Sequence, residues 1–411
     1  MVASRRAVAS ELLVETAYAW RRLAVSLALS TIGGVGLWSV VVVLPAVQAE
    51  FGVARGSASL PYTATMLGFA LGGILMGRLA DRFGVMVPLF VSSISLGLGY
   101  LLAAQSASLG AFALTQGLLI GLLGSSVTFG PLVADVSHWF TRRRGIAVSI
   151  CASGNYLAGT VWPPILQHFT ATLGWRRTMV GVGIFCISSM LPLTFLLRRR
   201  APVGHGPAAV PTATAGERAH LSPGRLQALL MVAGLGCCVA MSMPQVHVVA
   251  YANDLGYGAA HGARMLSMML GFGVVSRLAS GLIADRIGGV RTLLLGSALQ
   301  CLTLALYLPF DSLAALYVVA GLFGLSQGGI VPSYAIIIRE YFAPEEAGMR
   351  IGTVVMATIV GMALGGWISG AIYDVTGSYT AAFVNGIIWN VLNLAIALWL
   401  LGQPRRIAAF A

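Results

Sequence analysis

The chain has 411 residues, a mean hydropathy of +0.86 and only 9% charged side chains, a balance that excludes a soluble globular domain. Its formal net charge is +12, and every basic residue is an arginine. In a soluble protein that charge would suggest nucleic acid as a partner. In a chain this apolar it indicates cytoplasmic loops beside an anionic membrane leaflet. The composition therefore predicts an all-α membrane protein with the lipid bilayer, and no nucleic acid, as its surroundings.

The apolar stretches predict twelve membrane-spanning helices. The chain starts with a basic segment, residues 1–22, and each apolar stretch that follows is long enough to cross about 30 Å of hydrocarbon. The predicted spans cover 23–47, 59–79, 86–105, 109–134, 145–169, 178–197, 226–252, 260–283, 291–309, 313–338, 351–373 and 380–402.

A polar linker divides these spans into two groups of six. Residues 198–225 begin with three arginines and are rich in Pro, Gly, Ala and Thr, which is typical of a connector. It separates a six-helix bundle at 23–197 from a second at 226–402, and a short tail, 403–411, follows. With both termini inside, 20 arginines lie in cytoplasmic segments and four in outer loops. This asymmetry predicts cytoplasmic termini in an inner or plasma membrane.

The two halves repeat each other. Residues 77–84 read GRLADRFG and residues 281–288 read GLIADRIG, almost half the chain apart. A second pair, Trp139-Phe140 and Tyr341-Phe342, recurs at nearly the same offset. Parallel repeats of six helices predict a two-bundle transporter with its binding site near the midplane, between the halves.

Arg277 is the main candidate for ligand binding. It lies inside the predicted span 260–283, eight residues before Asp285, which is about 12 Å along a helix. An arginine at this depth costs about 2.5–3.5 kcal/mol on insertion scales. The alternative is a side chain that snorkels to the interface, but the distance is long for that. We therefore predict that Arg277 faces an anion.

His247 is the second ionisable residue that we single out within a predicted span. A histidine titrates near neutrality, so it could carry a coupled proton. Its predicted depth is about 11 Å outward of the midplane, whereas Arg277 lies about 8 Å inward. One small substrate could contact both only if Pro244 breaks the seventh helix. A coupling role and a packing role for His247 both stay open.

The repeated loop resembles the signature of the major facilitator superfamily, and twelve spans with a central linker agree with that resemblance. It implies the major facilitator fold and an inner gate closed by helix dipoles. In that gate Asp81 would meet the start of helix eleven and Asp285 the start of helix five. Arg82 and Arg286 would pair with nearby acids, Asp135 being one candidate.

A finer resemblance concerns the substrate. Residues 139–154 and 44–56 are similar to motifs of the monocarboxylate transporters and of the oxalate:formate antiporters. Arg277 falls where those families carry a substrate-binding arginine, which can clamp a carboxylate with two hydrogen bonds. The proton-carrying Asp of the former is Gly273 here, and residues 351–373 lack the second cation of the latter. One buried cation favours a monocarboxylate over a dicarboxylate.

The superfamily lines its cavity with helices one, four, seven and ten, so polar residues there become candidates. In each case an interhelical hydrogen bond is the alternative to a substrate contact. The candidate substrate contacts are Gln327, Tyr334, Gln116 and Trp38. Glycines at small-residue spacing predict close helix packing instead. They are Gly68, Gly72, Gly73, Gly361, Gly365 and Gly366.

No enzyme motif is present in the sequence. The five cysteines lie in apolar runs without disulfide or metal spacing, and a chain without lysine cannot carry a phosphate-binding P-loop. We therefore expect a monomeric secondary transporter without cofactors, driven by gradients and coupled to protons. Three alternatives stay open: a carboxylate exchanger of the oxalate:formate type, an exporter of a drug-like or hydrophobic acid, and an anion-binding membrane sensor.

Overall fold

A computed structural model describes residues 15–199, 222–342 and 344–402. Most of the predicted N-terminal segment 1–22 and linker 198–225, and the tail 403–411, lie outside the described residues. Within the described residues every regular element is a helix, which confirms the predicted all-α class. The chain forms two compact units, and each is described by itself.

The first unit contains residues 1–52 and 60–208. Its helices form the first six spans. They are Ala17–Gly33 with Val35–Phe51 (span 1), Leu60–Phe83 (span 2), Met86–Ala104 (span 3), Leu109–Ser137 (span 4), Arg144–Ala152 with Gly154–Leu173 (span 5) and Trp175–Phe195 (span 6).

The second unit contains residues 209–411 and also the short segment 53–59 from the first half of the sequence. Its helices form six further spans. They are Pro223–Asp254 (span 7), Ala259–Ile287 (span 8), Gly289–Leu306 (span 9), Leu313–Gln327 with Ile330–Tyr341 (span 10), Pro344–Thr376 (span 11) and Thr380–Leu401 (span 12).

Eleven of these twelve spans are long and apolar enough to cross a bilayer, judged over the described residues. Span 5 is the exception. Its helix is interrupted at Ser153, and its longer part carries Asn155, Gln167 and His168, which lower its hydropathy. The sequence therefore predicted the position of the fifth helix well but overestimated its apolar character.

The two units share one internal packing pattern. In the first, span 1 packs on span 5, span 2 on span 4 and span 3 on span 6. In the second, span 7 packs on span 11, span 8 on span 10 and span 9 on span 12. The same pairing at equivalent positions is what a parallel sequence repeat produces.

Span 4 departs from regular α-helical geometry. Leu109–Leu114 is α-helical, Thr115–Gly124 is a π-helix and Ser125–Thr128 is a 3₁₀ turn before the final α-helix, Gly130–Ser137. A π-helix of ten residues is rare, because most are single turns.

Glycines allow the closest helix contacts. A Cβ atom added at Gly68 or Gly72 would lie 2.1 Å from a carbonyl oxygen of span 4, and one at Gly361 or Gly365 would lie 2.4 Å from one of span 7. The predicted close packing is confirmed at these four positions. It is wrong at Gly73, which faces open space.

Gly365→Ala tests this packing. The added methyl group would meet Ser242 Oγ at 2.2 Å and the Val239 carbonyl oxygen at 2.4 Å, and backbone cannot move away cheaply. We expect the free energy of unfolding in detergent to fall by about 1–3 kcal/mol. Gly352→Ala is the matched control, because the same helix leaves open space there. Equal stability of the two variants would contradict the packing argument.

Candidate functional site

Arg277 lies on span 8 at its crossing with span 10. The residue is half-buried. A Cβ atom added at Gly328 would lie 2.7 Å from the Arg277 backbone nitrogen and 2.4 Å from the Gly273 carbonyl oxygen. Spans 8 and 10 therefore touch backbone to backbone at the candidate arginine, and Gln327 directly precedes the contact point.

Gln327 is fully buried and paired with a residue that the sequence did not single out. Gln245 Nε2 on span 7 donates a hydrogen bond of 2.5 Å to Gln327 Oε1. The remaining amide atoms, Gln245 Oε1 and Gln327 Nε2, are buried and have no hydrogen-bond partner among the described residues. One acceptor and one donor thus stay unsatisfied, which is costly in an apolar interior. The only sequence signal for Gln245 is its place next to Pro244.

His247 is fully buried on span 7, and both ring nitrogens are engaged. Nε2 lies 2.8 Å from the Gly366 carbonyl oxygen, and Nδ1 lies 3.3 Å from the Tyr379 hydroxyl. Because a carbonyl oxygen only accepts, Nε2 carries the hydrogen of that bond. In a neutral ring Nδ1 then accepts from Tyr379, so the hydrogen-bond roles fit an uncharged imidazole.

The helix that carries His247 is unbroken. Span 7 runs from Pro223 to Asp254 with Pro244 inside it, so the break that would bring His247 to the depth of Arg277 is absent. A gap beside the imidazole has no room for a water molecule. Its lining residues are Met243, Pro244, His247, Val248, Tyr251, Tyr307 and Phe383. The geometry gives His247 the satisfied environment of a packing residue; its coupling role stays a prediction.

A cluster of polar residues surrounds Arg55, at one end of span 7. Its Nη1 atom lies 3.0 Å from Asp254 Oδ2, and the same atom donates to the Tyr379 hydroxyl. The guanidinium also lies over the Tyr373 ring, 4.8 Å from the centroid. The side chain of Arg55 is 8% exposed. The sequence noted Arg55 only as part of a resemblance, because its partners are some 200 or more residues away.

Tyr379 connects Arg55 to His247. It lies between spans 11 and 12 and is buried. Burial raises the pKa of its phenol, although the nearby Arg55 acts in the opposite direction. The hydroxyl therefore keeps its proton, accepts from Arg55 and donates to His247 Nδ1.

The other predicted substrate contacts divide into two groups. Tyr334 donates to Asn393 Oδ1 at 2.8 Å, and Trp38 Nε1 donates to the Asn155 carbonyl oxygen at 3.2 Å. Both polar atoms are thus used between helices of one unit, and a substrate contact for either residue stays a prediction. Gln116 is fully buried, and its Nε2 atom has no partner among the described residues.

The predicted inner-gate residues are mostly exposed. Asp81, Arg82, Asp285 and Arg286 lie near the ends of spans 2 and 8, with their side chains open to the surroundings. Their contacts across the halves stay a prediction. The exception is Asp135, which is buried.

Asp135 has a different partner from the one that the sequence indicated. Arg22 Nε lies 2.7 Å from its Oδ2, and Arg22 Nη2 lies 2.8 Å from its Oδ1. Arg22 Nη1 also donates to the carbonyl oxygens of Leu197 and Arg199. The two exposures are 1% for Arg22 and 9% for Asp135, so this is a buried bidentate pair inside the first unit.

The start of span 5, where the resemblance would dock Asp285, already has a carboxylate. Glu15 Oε1 accepts the backbone N–H groups of Arg143 at 2.8 Å and Thr141 at 3.2 Å. The first of these bonds lowers the pKa of Glu15. An anion at a helix start meets the positive end of the helix dipole.

Asp135→Ala tests the buried pair. The substitution leaves the Arg22 guanidinium buried without its counter-charge, and we expect the free energy of unfolding to fall by about 3–5 kcal/mol. Glu346→Ala is the control, since it removes an exposed pair with Arg350 worth about 0.3–0.5 kcal/mol. Chemical denaturation in detergent measures both, and a similar small loss in both variants would refute the assignment.

The comparisons with known proteins agree on the class. Residues 26–313 and 265–410 match the family model of the Major Facilitator Superfamily. Monocarboxylate transporter 13 of Rattus norvegicus is 31% identical over 335 residues, which cover 80% of this chain and 75% of the relative. MFS transporter asaE of Aspergillus flavus is 27% identical, over 76% of this chain and 70% of its own length.

Solved structures are similar in fold. A bacterial homolog of the human lysosomal transporter Spinster, in an inward-facing and occupied conformation, matches with a TM-score of 0.71. The alignment covers 96% of this chain and all of that one, with 13% sequence identity. At that identity the match supports the fold and nothing about the substrate.

Proposed function

Because the chain belongs to the Major Facilitator Superfamily, we propose that it carries a small monocarboxylate across an inner or plasma membrane by alternating access. Its family and relatives are transporters, not enzymes. The observation that carries the proposal is Arg277, a cation held in an apolar span where spans 8 and 10 touch. Both termini would lie in the cytoplasm, as the arginine distribution predicts.

The guanidinium supplies charge and direction. It can donate two parallel hydrogen bonds to one carboxylate, which fixes the orientation of a small acid. In apolar surroundings such an ion pair is weakly screened, so one arginine can provide most of the affinity. A second carboxylate would have no cation of its own within residues 351–373, which favours a monocarboxylate.

The Gln245–Gln327 pair is a neutral polar group beside the contact between spans 8 and 10, because Gln327 directly precedes Gly328. Its spare donor and acceptor atoms are buried and lack partners among the described residues. A substrate group that hydrogen-bonds there would remove the desolvation cost that the free protein bears. The similarity to monocarboxylate transporter 13 supports the same substrate class.

The alternatives differ in coupling and cargo. An exchanger of the oxalate:formate type needs no proton carrier and would show counterflow without a pH gradient. An exporter of a drug-like or hydrophobic acid would favour bulky cargo; the similarity to a fungal transporter keeps that alternative in view. Counterflow in proteoliposomes, with and without a pH gradient, separates symport from exchange.

Arg277→Ala tests the proposed site. We expect uptake into proteoliposomes to be abolished, because the carboxylate loses its counter-charge, whereas the protein still folds and inserts. A thermal-shift screen against C2–C6 monocarboxylates identifies the acid first, since a ligand of the folded state raises the melting temperature. That acid should no longer stabilise the variant.

Arg264→Ala is the matched control, because Arg264 is an exposed arginine on the same helix. It should keep both uptake and the thermal shift. Uptake by Arg277→Ala equal to that of the unaltered protein would remove the proposal.

We further propose that His247 carries the coupled proton. The charged or titratable groups that face it are Arg55, Asp254, Asp374 and Tyr379. We expect His247→Gln to flatten the dependence of uptake on external pH, because the glutamine cannot titrate.

His261→Gln is its control. That residue is also a histidine of the second unit, and its Nδ1 lies 3.0 Å from the Tyr317 hydroxyl, away from the His247 cluster. It should leave the pH profile unchanged. An unaltered profile in His247→Gln would assign the proton to the substrate or remove proton coupling.

A further inference from the structure

The sequence repeat relates an acid and an aromatic residue in the first unit to an acid and an aromatic residue in the second. Glu50 and Trp175 recur, at the offset of the loop motif, as Asp254 and Tyr379. In the first unit Glu50 accepts from Trp175 Nε1, and Arg176 completes the group with a salt bridge of 2.8 Å to Glu50. Glu50, at the end of span 1, is thus neutralised by Arg176, which directly follows its aromatic partner Trp175.

The second unit lacks this arginine. Thr380 stands at the position equivalent to Arg176, so no arginine follows Tyr379 in the sequence to pair with Asp254. Arg55 takes its place, with contacts to both Asp254 and Tyr379. The repeat is therefore not kept at this position, and the charge comes instead from the segment Val53–Ser59, here called the strap.

The strap is docked by its backbone as well as by its arginine. Asp374 accepts the backbone N–H groups of Arg55 and Gly56, each at 2.7 Å. A Cβ atom added at Gly56 would lie 3.1 Å from backbone atoms of Ala371, and one at Gly370 would lie 3.0 Å from the Arg55 carbonyl oxygen. These glycines let the two backbones approach, so the docking surface is specific in shape and in charge.

The strap is connected at both ends to helices of the first unit. The strap belongs to the second unit, but the residues on both sides of it, Gly52 and Leu60, belong to the first. Gly52 has φ +61° and open space around it, so the chain turns there without steric cost. A rearrangement of spans 1 and 2 that the turn at Gly52 does not absorb would therefore pull on the contacts of Arg55.

We propose that the strap is a releasable latch: its docking on Asp254, Asp374 and Tyr379 fixes one state of the protein, and Arg55 sets how often it leaves. The three groups that hold it are a carboxylate on the guanidinium, a carboxylate on two backbone amides and a phenol. This latch does not depend on which substrate is carried.

A reporter cysteine under the strap measures its release. Ser59 is fully buried in the docked state, so Ser59→Cys reacts with a polar maleimide only while the strap is undocked. In purified protein in detergent, we expect slow but measurable labelling of this parent variant. Adding Arg55→Ala should accelerate labelling about tenfold or more, because hydrogen bonds to a charged group are lost. Labelling of the chain without Ser59→Cys gives the background from the five native cysteines.

Arg176→Ala in the same reporter background is the matched control, since it removes the equivalent arginine of the first unit. It should leave the labelling rate unchanged. Asp374→Asn is a second route to release if Arg55→Ala fails to fold, and it should also accelerate labelling. The proposal is overturned if the parent never labels although the unfolded chain does, if neither variant accelerates labelling, or if Arg176→Ala accelerates it equally.

Discussion

A charge inside an apolar span is stable only where a partner replaces the water that it has lost. Desolvation costs several kcal/mol per ion, and a lone buried charge is the most expensive arrangement. Arg22 meets this condition with Asp135 and two carbonyl oxygens, and Arg55 meets it with Asp254 and Tyr379. These contacts fix the ends of several spans, so the same constraint that limits charge also organises the helices.

Within that constraint, Arg277 differs from the other two arginines in its position. Arg22 and Arg55 lie near helix ends, whereas Arg277 lies inside span 8, away from both of its ends. Its surroundings on span 10 are a glycine contact and a glutamine that is itself short of partners. This combination is what the proposed anion site rests on.

The sequence predicted the helices and their repeat because both depend on local composition. A run of about 20 apolar residues predicts a membrane-spanning helix by itself, and the repeated loop shows which helices of the two halves correspond. It could not predict the pairing of Arg22 with Asp135, 113 residues apart, or of Arg55 with Asp374, 319 residues apart. Such pairs depend on tertiary packing. Two residues that are far apart in the sequence leave no local pattern that predicts their contact. Gln245 was missed for the same reason, because its partner Gln327 is 82 residues away in the sequence.

The π-helix of span 4 affects the orientation of Asp135, which lies further along the same span. A π-helix has more residues per turn than an α-helix, so relaxing Thr115–Gly124 to α geometry would rotate everything after it about the helix axis. Asp135 lies in the final α-helix of the same span, beyond that stretch. Its two bonds to Arg22 would therefore oppose such a rotation, because the rotation would carry the carboxylate away from the guanidinium.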